Sequence, residues 1–174
     1  MAFFSFLSAK AGIGELWKLN PLLAKPMQDL GVAIMRADSP LSKGDRELIA
    51  AFVSALNQCA YCFNGHAQLA VNYGVRRDLI DEIVSDIDSS SAPEPFKPIL
   101  HFVKKLTLEP VKMSQQDADK VFAAGWSEKA LQDAILVCCR FNFMNRLSLG
   151  HGLDPDAKSA EERAANMNYD RAGN

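Results

Sequence analysis

The chain has 174 residues, 48% of them apolar and 23% charged, with a formal net charge of −2. That length suits one domain with a real core. The near-neutral charge, with no basic block, argues against nucleic acid as a partner. No run of about 18 apolar residues is present, so no membrane span is expected.

Residues 1–19 form an N-terminal apolar arm containing Phe3, Phe4 and Phe6, with a weak break at Gly12-Ile-Gly14. The arm lacks the basic start and long apolar core of a signal peptide, so a cytoplasmic protein is expected, with the arm packing on the body or on another subunit. Asn20-Pro21 opens a helix whose apolar side is Leu22, Leu23, Met27, Leu30, Ile34 and Met35. Asp38-Ser-Pro40 ends it. Ser42-Lys-Gly-Asp45 then reads as a helix start, with an acid in the first turn. The helix runs to Leu56 with apolar residues so dense that it must be buried on most sides.

Asn57-Gln58 is a break, and a second helix runs from Cys59 to Tyr73, closed by Gly74. Leu79, Ile80, Ile83, Val84 and Ile87 have helical spacing. Asp88 to Pro95 is the clearest loop. Further helices are expected over Phe96–Leu108, from Ser114 to Gly125, and from Ser127 onward. The last turns Leu131, Ala134, Ile135, Cys138, Phe141, Met144 and Leu147 inward. No segment alternates with period two. The expected fold is all-α, seven to nine helices around a central antiparallel helical hairpin. It comprises the arm (1–19), a helical domain (20–151) and a polar C-terminal tail (152–174).

The chemistry concentrates between Glu47 and His66. Cys59 and Cys62 form a CxxC, with His66 four residues beyond Cys62 and Glu47 twelve before Cys59. Cys59, Cys62 and His66 share one face of their helix. Antiparallel packing would bring Glu47, roughly 14 Å before the end of its helix, to the level of His66, roughly 10 Å into the next. A thiol at a helix N-terminus is favoured as thiolate. Histidine can take its proton, and a carboxylate can set the imidazole tautomer. Such a dithiol can reduce a peroxide or exchange with a disulfide, through a sulfenic acid resolved by the second thiol. It needs no organic cofactor. The same four groups could also ligate zinc, although no second CxxC or His pair completes a structural zinc pattern.

The pattern Glu47-x11-Cys59-x-x-Cys62-x3-His66 is similar to the alkyl hydroperoxide reductase D (AhpD)-like family of the carboxymuconolactone decarboxylase-like superfamily. Ser42-Lys-Gly-Asp-Arg-Glu-Leu-Ile, Cys-Ala-Tyr-Cys and Phe141-Asn-Phe-Met-Asn-Arg146 resemble its peroxidase-related branch over roughly residues 20–150. The resemblance implies a thiol-dependent peroxidase or disulfide oxidoreductase. Cys62 would be the attacking thiol, Cys59 its resolving partner, and His66 with Glu47 the proton relay. It implies a hydroperoxide or disulfide substrate, an external dithiol reductant (a thioredoxin-like or lipoyl protein) and a homo-oligomer. The alternative is a non-redox member of the superfamily binding a small molecule or metal at the same place. Tyr61 stands where the best-known members carry histidine. Tyrosine is no base near neutral pH, so the relay would be shorter.

Of the remaining groups, Cys138 and Cys139 are adjacent on a helix and do not face each other. His101 reads as a helix-surface residue, and His151 as a loop residue or helix cap. Asn145-Arg146 reads as either pocket lining or a hydrogen-bonded helix end. Tyr61 reads as either core or site lining.

Overall fold

The computed structural model describes residues 2–156 and 158–166. Among these the chain is entirely helical: α1 Ala24–Arg36, α2 Lys43–Leu56, α3 Ala60–Asn72, α4 Arg77–Ser85, α5 Lys97–Leu108, α6 Gln115–Ala123, α7 Glu128–Gly150 and α8 Ala160–Asn166, with 3-10 turns between some of them. No described helix is long and apolar enough to cross a membrane.

Helix α2 is the axis of the molecule. Gly44 and every residue from Arg46 to Ser54 are buried, Glu47 among them. Ser42 and Asp45 start it with a reciprocal capping box: the Asp45 N–H donates to Ser42 Oγ at 3.0 Å, and the Ser42 N–H to Asp45 Oδ2 at 2.9 Å. Such a box satisfies two orphan donors of the first turn. Ser114 and Asp117 repeat the device at α6. At Gly44 a Cβ would come within 3.2 Å of Val75 and 3.3 Å of the Tyr73 carbonyl. The missing side chain therefore lets the start of α2 press against the end of α3. Helices α4, α5 and α7 complete the core through Ile80, Ile83, Ile99, Leu100, Val103, Ala134, Val137 and Phe141.

The α2–α3 turn is a Schellman closure. The Cys59 N–H donates to the Ser54 carbonyl and the Gln58 N–H to the Ala55 carbonyl, both at 2.9 Å. Such a closure places its pivot residue in the left-handed region. That residue is Gln58, at φ +55°. Cys59 follows at once as the N-cap of α3, so one residue ends one helix and starts the next.

Two expectations change. The sequence around Asn20-Pro21 makes a 3-10 turn over Pro21–Leu23, and α1 begins only at Ala24. The apolar side assigned to this helix is largely outward: Leu22, Leu23 and Leu30 are exposed, and only Gly31 and Met35 are buried. Periodicity finds an amphipathic face but does not say what covers it. Cys139 is exposed, whereas Cys138 is buried.

The arm packs on the body. Leu7, Ala11 and Leu16 form a second apolar cluster with Leu153, against Tyr61 and Leu147. Within the polar stretch from 152, α8 buries Arg163 and Ala164. The remainder of that stretch, residue 157 and residues 167–174, lies outside the described residues.

Gln58 pays the steric penalty of a left-handed Cβ, which glycine avoids. Gln58→Gly should raise unfolding stability by about 0.5–1 kcal/mol, since glycine's larger unfolded-state entropy offsets part of the gain. Chemical denaturation measures it.

Candidate active site

The antiparallel hairpin brings the two helices' polar residues to one level. Glu47, fully buried, meets His66 across the interface, with Nδ1 to Oε2 at 2.6 Å. Its other oxygen accepts from Arg36 Nη2 at 2.8 Å. Arg36 ends α1, lies 4.9 Å above the Tyr73 ring, and also donates to the Met35 carbonyl at 2.8 Å. This network assigns the Nδ1–H tautomer to His66, leaving Nε2 as the ring's basic position. The Phe141 ring holds the imidazole edge-on, with centroids 4.3 Å apart.

The two thiols lie one helical turn above His66. Both are free, with the sulfurs 2.7 Å apart and Cys59 donating to Cys62. That donation is the main reason the Cys62 thiol is brought down to about 7, against its burial. Ser148, Asn145 and the nearby His66 add to the effect. The Ser148 hydroxyl approaches Cys62 Sγ at 3.4 Å. Cys59 is pushed the other way, because its proton is held by Cys62 and because it is buried beside a developing negative charge. The pair is therefore polarised, with Cys62 the more acidic thiol and Cys59 the less acidic one.

Helix α7 supplies the third wall. Asn145 donates to Ser54 Oγ at 3.0 Å and accepts from Asn57 Nδ2 at 3.0 Å, which ties α7 to the turn that carries Cys59. Sequence reading placed Asn145 in one of two roles; it is fully buried and borders both thiols. Its neighbour Arg146 faces away and bonds Asn142. Arg36, Asn57 and Ser148 were not singled out. For Ser148 a signal existed: Phe141, Met144, Asn145 and Ser148 fall on one helical face, and two polar residues on a buried face need partners.

The other candidates lie apart from this cluster. Tyr61 joins the second apolar cluster with the arm, and Arg163 sits 4.3 Å over its ring. Burial pushes its phenol up, so it stays protonated near neutral pH. Cys138 bonds Thr107 and is pushed up to about 11 by burial, which makes it an unreactive core thiol. His101 pairs with Asp88 at the surface, and His151 caps α7 through the Leu147 carbonyl. Among the described residues no group of three or more His, Cys, Asp or Glu side chains is arranged to hold a metal ion. His66 Nδ1 and both Glu47 oxygens are already engaged with each other and with Arg36.

An all-helical body around a CxxC hairpin backed by a buried Glu–His pair defines an AhpD-like architecture. The carboxymuconolactone decarboxylase family model matches residues 21–92, the segment carrying Arg36, Glu47, Cys59, Cys62 and His66. The hairpin segment thus matches that family's model, and the fold around it is AhpD-like. The fold is similar to a peroxidase-related protein from Silicibacter sp. TM1040 (TM-score 0.78, 22% identity, 85% of this chain and 78% of that one). It is also similar to a peroxidase-related protein with an AhpD core from Ralstonia eutropha JMP134 (TM-score 0.76, 22% identity, 85% and 76%). The debrominase Bmp8, in complex with 2,3,4-tribromopyrrole, shares it as well (TM-score 0.69, 18% identity, 86% and 78%). No curated protein matches the chain in sequence.

Two outcomes follow from this geometry. Thiolate absorbance should titrate with a midpoint near pH 7. Cys59→Ala should move that midpoint upward by removing the donor, and Cys62→Ser should abolish it. The folded thiol ionises below its unfolded value, so its stabilising contribution is present above the unfolded value of about 8.5 and is lost as pH falls through 7. Separately, Glu47→Gln should cost about 3–5 kcal/mol in chemical denaturation, because it leaves the Arg36 cation buried without its carboxylate.

Proposed function

We propose that this protein is a thiol-dependent peroxidase with Cys62 as the attacking sulfur. The observation that carries the reading is geometric: two free thiols with their sulfurs 2.7 Å apart at the start of α3, on the helix whose His66 is oriented by the buried Glu47. His66 Nε2 takes the Cys62 proton, and the thiolate attacks the terminal oxygen of a hydroperoxide. The O–O bond breaks, Cys62 becomes a sulfenic acid, and the alcohol leaves with the proton returned by the His66 imidazolium. Cys59 then attacks the sulfenic sulfur, releasing water and closing the Cys59–Cys62 disulfide. An external dithiol returns two electrons by exchange, and a thioredoxin-like or lipoyl protein is the expected class of donor.

Glu47 and Arg36 act through His66. Glu47 fixes the tautomer and supports the imidazolium, and Arg36 keeps the carboxylate from turning away. Ser148 and Asn145 stabilise charge on Cys62. Assembly as a homo-oligomer belongs to the same reading.

The test is hydroperoxide consumption with a dithiol reductant, with a bromopyrrole as the alternative electrophile. Cys62→Ser should reduce turnover to the uncatalysed level. His66→Ala should lower it about 100- to 10,000-fold, the usual worth of a general acid–base. Wild-type turnover in Cys62→Ser protein, or loss of bromide with no peroxide consumption, would sink the peroxidase assignment.

A further inference from the structure

A cavity of about 320 Å³ lies beside the thiol turn, lined by Gly12, Ile13, Gly14, Glu15, Tyr61, Lys158 and Arg163. That volume is at the small end of ordinary ligand sites, about 300–1,000 Å³. Its walls come from the arm, from the first turn of α3 and from α8 with the residue leading into it. The chain's two ends thus close over the residue next to Cys62.

Arg163 is the unusual wall. It is only 3% exposed. Nε donates to the Lys158 carbonyl at 3.2 Å, and Nη2 to the carbonyls of Asp154, at 3.1 Å, and Pro155. Nη1 is buried with no hydrogen-bond partner. Among the described residues Arg163 makes no ion pair; its partners are neutral carbonyls and Tyr61, at both its ring face and its phenol oxygen. Burying a guanidinium with an unmet N–H is costly unless an anion completes it. Lys158 adds a second cation, its Nζ 4.0 Å from where a Gly12 Cβ would stand. The one acid in the lining, Glu15, is engaged by Lys18 at 2.8 Å and by the Ser8 hydroxyl at 3.0 Å.

We propose that this cavity is an anion subsite, in which Arg163 and Lys158 seat the carboxylate of a small organic acid against Tyr61. Tyr61 immediately precedes Cys62 in the first turn of α3. An occupant anchored at Arg163 lies along the ring and reaches toward the thiol turn. The substrate class is then an acid-bearing alkyl hydroperoxide. That assignment rests on the peroxidase reading, whereas the carboxylate binding does not.

The experiment is calorimetry on the full chain with hexanoate and with hexanamide, alongside turnover of a carboxylate-bearing alkyl hydroperoxide and its methyl ester. Hexanoate should bind and hexanamide should not. Arg163→Gln should weaken hexanoate about tenfold or more, the usual scale for losing a charge-assisted contact. Lys158→Gln should weaken it less. In turnover, Arg163→Gln should raise KM for the acid about tenfold more than KM for the ester. Equal binding of hexanoate and hexanamide, no binding of either, or wild-type hexanoate affinity in folded Arg163→Gln protein overturns the proposal. If Arg163→Gln does not fold, Lys158→Gln and the acid–amide comparison in wild-type protein decide it. Hexanoate binding lost in Arg163→Gln, in a protein that turns over no hydroperoxide, upholds the subsite and refutes the peroxidase reading.

Discussion

One buried carboxylate sets the terms for the rest of the molecule. Glu47 has no access to water, so its charge must be met inside the protein, and it is met from two sides, by Arg36 and by His66. A buried carboxylate costs several kcal/mol unless it is paired and hydrogen-bonded. The pairing therefore constrains three elements at once: the end of α1, the middle of α2 and the middle of α3. Arg46 reinforces the first of these, donating to the Ala37 and Ile34 carbonyls at 2.8 and 3.2 Å where α1 runs out. The register of the hairpin and the placement of Arg36 follow from the same requirement.

The turn of the hairpin converts that register into chemistry. Because Cys59 is at once the residue that closes α2 and the one that caps α3, its backbone cannot move without disturbing both helices. Cys62, three residues on, lies in the first turn of α3, where backbone N–H groups are still unmatched and favour negative charge. The asymmetry between the two thiols is thus partly local. The tertiary part comes from α7, where Asn145 reaches both the turn and the sulfurs and Ser148 reaches Cys62. His66 acts from below, already oriented by Glu47. A thiolate here is supported from three helices, each held by contacts outside the thiol pair.

The two chain ends add a layer that the hairpin alone lacks. They bury Tyr61 and enclose a cationic cavity next to a site whose own sulfurs are hardly exposed. The arm and α8 enclose this cavity, while the hairpin fixes where the thiols sit.

Much of this was legible in the sequence. The helical periods, the Ser-x-x-Asp starts, the hairpin, the CxxC and the levels of Glu47 and His66 all depend on contacts within about 20 residues, and local spacing encodes such contacts. The residues that escaped are those whose partners lie far along the chain. Arg36 reads as an ordinary basic residue in the last turn of a helix until α2 brings Glu47 to it. Ser148 gains a role only because α7 crosses the start of α3. The outward face of α1 and the buried Arg163 belong to the same class: composition shows an apolar stripe and a cation, but not what each will touch. The sequence by itself determined the helices and the thiol–imidazole–carboxylate order, because these are set by residues close in the chain. Only the tertiary structure decided which cation meets Glu47, which hydroxyl meets Cys62 and what closes over Tyr61, because those contacts join segments that folding alone brings together.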